Sequence, residues 1–426
     1  MSTLLVLAIT FVTYFFIIFT RKIKKSIITF FLASLLFIFK PVEGFTLENL
    51  SHIVSFETLG ILLGMTIIVE ILKESGFFTY FAVKTIKASK YKFWIVLFLL
   101  MGIVIIFSAF LDNVVTILFI APIIFLVADT LEVDPTPLMM LTIVMDNIGG
   151  MGTLIGSPVN IIIGTTSGID FTKFLVTMGP ITLLAFVASF FIFKIQNKID
   201  TKSYNKKLEK LKEMDENKAI TNKSMAIKGV VIFFIALMGF LTHESTHIPI
   251  AVVATSSALV LMLLTNKDFE EMAHEIDWDT LFFYSALFAV SYALSEIGAI
   301  DILANLFMPL MNTPMLLMLV FMFVSAMVMP FLNSVPGTLV LAPVVSVLVN
   351  KGAPFELWFA FAMGANLGTN LTPLGAVQNF VVVGLLKKDA NVDISFSKYM
   401  KYGYIHVIVS LIIAVAYLFF HYYVMA

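Results

Sequence analysis

The same series of motifs occurs twice in this chain, with a separation of 219 to 222 residues throughout. Ser55-Phe-Glu-Thr-Leu59 answers Asp277-Trp-Asp-Thr-Leu281, and Glu74-Ser-Gly76 answers Glu296-Ile-Gly298. Phe110-Leu-Asp-Asn113, followed by Ala121-Pro122, answers Phe331-Leu-Asn-Ser334, followed by Ala342-Pro343. Asn147-Ile-Gly149, Thr153, Gly156 and Asn160 answer Asn366-Leu-Gly368, Thr372, Gly375 and Asn379. An offset this constant across unrelated motifs marks a duplicated fold.

The repeated motifs sit in apolar surroundings. Of 426 residues, 60% are hydrophobic and 13% charged, with a mean hydropathy of +1.00. This is the composition of a polytopic membrane protein, and an all-α one, because helices satisfy their backbone groups internally in lipid. Spans of about 17 to 25 apolar residues are expected near 3–20, 27–43, 56–75 and 174–194, then near 229–243, 249–265, 280–296 and 404–424. The stretch 93–128 is interrupted at Leu111-Asp-Asn113, which makes it two spans or one re-entrant hairpin; 315–349 is its counterpart. The segments 136–164 and 354–384 are broken by glycine, proline and asparagine. The first span is expected to be retained, because Arg21-Lys-Ile-Lys-Lys25 follows it rather than precedes it. Absence of cysteine excludes disulfides, thiolate metal sites and cysteine nucleophiles. No basic, aromatic-interleaved surface suggests nucleic acid.

Residues 195–228 are rich in lysine and glutamate and read as a solvated cytoplasmic linker between a first repeat, 1–194, and a second, 229–426. Basic clusters at 21–25, 84–92, 195–228 and 387–401 mark cytoplasmic loops. The segment 76–92 is basic, whereas its counterpart 298–314 has no lysine or arginine, so equivalent loops lie on opposite faces. Five spans and one re-entrant helical hairpin per repeat give an odd number of crossings. Both arguments predict two inverted-topology repeats, an architecture of secondary transporters, with the N-terminus outside.

In such a fold the sites lie near the midplane, where broken helices meet. One pair of breaks is the hairpin tips, Asp112-Asn113 and Asn333-Ser334. The other runs from Asn147 to Asn160 and from Asn366 to Asn379. The candidate site residues are Asp112, Asn113, Asp146, Asn147, Gly150, Thr153, Gly156, Ser157, Asn160, Asn333, Ser334, Asn366, Thr369, Thr372, Gly375 and Asn379. Side-chain oxygens and freed carbonyls can replace the hydration shell of Na⁺, here near Asn113, Asn147, Ser334 and Asn366, while half-helix N-termini attract an anion. None of the four motifs contains lysine or arginine, so an anion would rely on helix dipoles and co-bound cations. Asp112 and Asp146 are the titratable groups at membrane depth, where a carboxylate is by default functional and can exchange H⁺ for Na⁺. Glu70, near the end of its span, is expected to reach the interface.

His243-Glu-Ser-Thr-His247 fits the H-E-x-x-H zinc-protease pattern. Its position in a short external loop, with Pro249 two residues on, argues against a helix that aligns both histidines, so zinc catalysis is the remote alternative and no zinc is expected. The chain reads as a transporter, not an enzyme. Its coupling ion is Na⁺ or H⁺, it needs no further cofactor, and its surroundings are the bilayer of a cell (inner) membrane.

Phe110-Leu-Asp-Asn-Val-Val-Thr116, Asn147-Ile-Gly-Gly-Met-Gly-Thr-Leu-Ile-Gly-Ser-Pro-Val-Asn160 and Gly364-Ala-Asn-Leu-Gly-Thr-Asn-Leu-Thr-Pro-Leu-Gly375 resemble the arsenite permease and sodium/proton antiporter family of the ion transporter superfamily. That family has a citrate-transporter-like domain and is related to the melanosomal P protein and to divalent-anion/sodium symporters. The resemblance implies transport of a small inorganic ion or oxyanion, an antiporter among the possibilities, by elevator-like movement in a homodimer. A sodium-coupled dicarboxylate, citrate or sulfate symporter is the alternative. By position the symporters' Ser-Asn-Thr tips fall on Asp112-Asn113-Val114 and Asn333-Ser334-Val335, and only Asn113 matches. Ser157 stands where the P-protein-like branch has aspartate, and Asp146 where a small or polar residue is usual.

Overall fold

The computed structural model describes residues 2–19, 24–197, 200–213 and 216–425. Arg21 and Lys22 of the first basic cluster, and Lys198 and Asp215 of the linker, lie outside the described residues. Among those described there is no strand.

The eight principal helices of the first half are α1 (Ser2–Phe19), α2 (Lys25–Phe39), α3 (Phe56–Glu74), α4 (Phe93–Phe110), α5 (Asn113–Leu131), α6 (Thr136–Gly150), α7 (Pro158–Ser167) and α8 (Phe171–Gln196). The second half repeats them in order as α9 (Lys223–Leu241), α10 (Ile250–Thr265), α11 (Trp278–Glu296), α12 (Pro314–Leu332), α13 (Ser334–Asn350), α14 (Leu357–Gly368), α15 (Val377–Asp389) and α16 (Phe396–Phe420). Helix starts coincide with residues that satisfy orphan backbone N–H groups. Ser55 caps α3 and Asp277 caps α11; Asp112 caps α5 and Asn333 caps α13. Six helices are long and apolar enough to cross a membrane by themselves, namely α4, α5, α8, α9, α12 and α16. Helix α3, expected as a span, is absent from that set because it carries four charged residues, Glu57, Glu70, Lys73 and Glu74.

The halves interlock rather than sit side by side. Helix α2 packs on α11 and its counterpart α10 on α3; α5 packs on α15 and its counterpart α13 on α7. Each repeat therefore supplies walls to the other. Away from this core, α8 exposes Val176, Leu183, Leu184, Val187 and Phe191, and α9 exposes Ile227, Val231, Phe234, Ile235 and Met238. These stripes at helical spacing are the lipid-facing sides.

Loop contacts fall into two sets. On the face with the basic loops, Lys267 pairs with Glu74 at 2.7 Å, Lys207 with Glu132 at 3.0 Å and Lys24 with Asp279 at 2.7 Å. On the other face, Asp170 lies 2.8 Å from His243 and Thr58 Oγ1 lies 3.0 Å from Thr165 Oγ1. This partition follows the alternation of an inverted repeat.

The linker differs from the expected solvated segment. It forms a helix, Thr201–Leu208, whose Leu208 is fully buried. Asn205 Oδ1 accepts the Phe93 N–H at 2.8 Å and so caps α4, and Lys207 Nζ donates to the Leu131 carbonyl at 2.9 Å. Charged composition hid this because only a few of its residues dock. Helix α9 also starts inside the expected linker, at Lys223, where Asn222 Oδ1 accepts the Met225 N–H. The Lys207 ammonium holds the Glu132 carboxyl below its ordinary range.

Candidate functional site

The breaks are built alike in the two halves. Thr153 Oγ1 donates to the Ala109 carbonyl and Thr372 Oγ1 to the Pro330 carbonyl, tying each unwound segment to the end of a hairpin arm. Asn160 Nδ2 donates to the carbonyls of Gly150 at 2.9 Å and Thr153 at 2.8 Å. Asn379 Nδ2 does the same to Thr369 at 2.8 Å and Thr372 at 2.9 Å. One asparagine per half thus satisfies carbonyls that the broken helix sets free. At Gly156 a Cβ would lie 2.7 Å from the Gly150 oxygen and 2.8 Å from the Ala109 oxygen, and Gly375 is closed in by the Thr369 carbonyl in the same way. Only glycine allows the unwound strand to cross so close.

The halves are then joined through a reciprocal pair. Asn147 Nδ2 donates to Asn379 Oδ1 at 3.1 Å, and Asn366 Nδ2 donates to Asn160 Oδ1 at 2.8 Å. Asn147 Nδ2 also reaches Asn370 Oδ1 at 2.8 Å. The symmetry breaks at one place: Ser157 Oγ donates to Asn366 Oδ1 at 3.0 Å, but its counterpart is Ala376. Gln378 Nε2 takes over, donating to Asn147 Oδ1 at 2.6 Å.

Between these elements lies a cavity of about 280 Å³. Both hairpin tips reach it through Asp112, Asn113, Asn333 and Ser334, and both breaks through Asn147, Ser157, Asn366 and Thr369. At the first tip, Asp112 Oδ1 accepts from Val114 N at 2.8 Å, and Asn113 Oδ1 accepts from Ser108 Oγ at 3.3 Å. At the second, Asn333 has a φ of 70°, tolerated by asparagine far better than by a β-branched residue, and Ser334 N donates to the Gly375 carbonyl at 2.9 Å. Helices α5, α7, α13 and α15 all begin at this cavity, which directs four positive dipole ends toward it.

Half of the expected residues line no part of this cavity: Asp146, Gly150, Thr153, Gly156, Asn160, Thr372, Gly375 and Asn379. Apart from Asp146, they build the breaks that hold the lining in place. Asp112 and Asp146 therefore do not share the cavity. Three carboxylates that do line it were not expected there: Glu70, Glu275 and Asp277. Glu70 does not snorkel to the interface but is buried, 2.7 Å from Lys73 Nζ. Glu275 and Asp277 are exposed at the rim, on the face of Lys267 and Glu74, because the short helix Phe269–Glu275 turns by 119° from α10. Gln378 was missed too; the signal for it was Ala376 opposite Ser157 in the repeat. No lysine, arginine or histidine lines the cavity among the described residues. The histidine pair of H-E-x-x-H lies elsewhere, in a single turn, His243–Thr246, that ends at His247 with a φ of 55°.

Known proteins place the chain. The citrate transporter family profile matches residues 14–364. An uncharacterised transporter of Mycobacterium tuberculosis is 31% identical over 376 residues, covering 87% of each chain. The 46 kDa membrane protein of Mycobacterium leprae is 31% identical over 382 residues and 88% of each chain. The mouse P protein is 27% identical, over 87% of this chain and 54% of its own length. Among solved structures, the YdaH transporter of Alcanivorax borkumensis, described as having an unusual topology, aligns with a TM-score of 0.57 at 15% identity, covering 99% of this chain and 98% of its own; this likeness is one of fold. With a profile match across most of its length, the chain belongs to the citrate transporter family and is an integral-membrane secondary transporter, not an enzyme.

Proposed function

We propose that the protein moves a small inorganic ion or oxyanion, of the arsenite-permease or sodium/proton-antiporter type, coupled to H⁺ or Na⁺ by elevator-like alternating access. The observation that carries this reading is the central cavity, where both tips and both breaks converge on a lining with four carboxylates and, among the described residues, no basic side chain. Carboxylates at membrane depth attract a proton or metal cation, and the carbonyl ends of α6 and α14 add oxygen ligands. Asp112, Asn113, Asn147, Ser334 and Asn366 are the groups for the coupling cation, with α7 and α15 offering N-termini to an anion. In this reading residues 1–194 and 229–426 are the two repeats and the hairpins α4–α5 and α12–α13 are re-entrant. The basic-loop face is cytoplasmic, the N-terminus is outside, and the molecule works as a homodimer in the inner membrane. The exposed Glu275 and Asp277 at the rim then make this an inward-open arrangement.

The second reading is a cation-coupled carboxylate symporter, favoured by the family's description as citrate transporters. A polyanion entering this lining would need a cation bound with it. Purified protein in liposomes separates the readings. Uptake of Na⁺, arsenite and citrate is measured under an imposed pH or Na⁺ gradient, and gradient-driven Na⁺ or arsenite flux is expected. Citrate flux alone would replace the first reading by the second. No flux of any of the three would refute both.

A further inference from the structure

A second cavity, of about 250 Å³, lies on the face of the basic loops, where α6, α8 and α16 pack together. Helices α6 and α16 begin on this face and α8 ends on it. Part of the cavity wall is apolar, from Met140 and Leu141 of α6 and Phe193 of α8; the polar lining is Gln196, Asn197, Lys401, Tyr402 and His406. Among the described residues no carboxylate lines it, and it shares no residue with the central cavity.

His406 is 5% exposed, and its Nδ1 is buried without a hydrogen-bond partner. A group left so is costly unless something outside the chain completes it. Nδ1 donates in one tautomer and accepts in the other, so its neighbours decide what it meets. Lys401 can only donate, and Tyr402 and Gln196 can donate. Asn197 turns its N–H and its Nδ2 to the Phe193 carbonyl at 3.1 and 2.9 Å, which covers that carbonyl in the last turn of α8. The carboxylate before α6, Asp134, accepts from Thr136 N at 2.8 Å and does not line the cavity. One fixed positive charge, several donors and no carboxylate suit an anion with several oxygens.

The surroundings identify its source. Lys398, Lys401, Tyr404 and Ile408 recur at three- and four-residue spacing and share one side of α16, where Lys401, Tyr404 and Ile408 are exposed. On α8, Val187, Phe191 and Ile195 are exposed four residues apart, and the stripe ends beside Gln196. Lipid-facing stripes therefore run up to the cavity along both helices, and two lysines stand where the α16 stripe reaches the polar face. Basic groups in that position meet acidic headgroups.

We propose that this cavity binds the phosphodiester headgroup of an acidic phospholipid, with Lys401, Tyr402 and His406 donating to the phosphate oxygens and the acyl chains lying along the exposed sides of α8 and α16. The bound lipid joins three helices, among them α6, whose far end is the first break at Gly150. The site does not depend on which ion is transported.

The test uses the full chain, purified in detergent and freed of lipid, with bound lipid counted by native mass spectrometry. Phosphatidylglycerol is expected to bind about tenfold tighter than phosphatidylcholine. Lys401→Gln should weaken phosphatidylglycerol binding about fivefold, the effect of one lysine at a membrane surface. Lys388→Gln, which removes an exposed lysine outside the cavity on the same face, should leave it unchanged. His406→Leu should weaken it as well; if that variant fails to fold, the exposed Lys401 still decides. Inorganic phosphate and glycerol phosphate in large excess should not displace the lipid. Equal binding of the two lipids would overturn the proposal. So would equal weakening by Lys401→Gln and Lys388→Gln, which reduces the effect to general surface charge. Displacement by inorganic phosphate would also overturn it, by making the occupant a free anion.

Discussion

Asn147 and Asn366 carry the joint between the repeats, and each is held from the opposite half. Removing Asn147 with Asn147→Ala leaves Asn370, Asn379 and Gln378 short of partners inside the protein. Leaving buried polar groups unpaired costs about 1–3 kcal/mol, so a lower melting temperature in detergent is expected, together with loss of flux. Asp112→Asn is expected to behave differently. Its side-chain oxygen can still accept from Val114 N, and aspartate and asparagine are comparable caps. Stability should therefore be kept while the pH dependence of flux changes; an unaltered pH profile would refute the role given to Asp112. These asparagines could be named from the repeat, because polar residues recurring in apolar surroundings need a reason. For Gln378 the repeat shows only a gap, Ala376 opposite Ser157, and folding decides which side chain fills it.

The broken helix is the element that depends most on small residues. Gly156→Ala would push a methyl group against the Gly150 and Ala109 carbonyls. Overpacking of this kind costs about 1–3 kcal/mol, measurable as a fall in melting temperature, and Gly375→Ala should cost a similar amount. The linker helix makes a smaller contribution. Losing the Asn205 cap on α4 in Asn205→Ala should cost about 0.5–2 kcal/mol, the range for helix caps, with the effect seen in thermal unfolding. A linker that only floated in solvent would give no change. Hydropathy located the long apolar helices, yet it could not divide 93–128, because a hairpin and two spans share one apolar pattern. The structure places the break between α4 and α5 at Leu111 and Asp112.

At the scale of the molecule, the two sets of loop contacts predict sidedness. Single cysteines at Lys206 and Glu244, both exposed, should be labelled by an impermeant thiol reagent from opposite sides of the membrane, Lys206→Cys from the cytoplasmic one. Labelling from one side only would overturn the inverted topology. The duplication, the helical class, the four breaks and most residues that build them were determined by the sequence alone. Repetition and the demands of an apolar solvent act on local residue type and spacing. The tertiary structure alone decided which of those residues face a cavity and which only support it. It brought Glu70, Glu275 and Asp277 into the central lining and left Asp146 out of it. The physical reason is the interlocking of the halves: the neighbours of each broken helix come from segments about 220 residues away, and no local pattern encodes which side chain fills a gap across that distance.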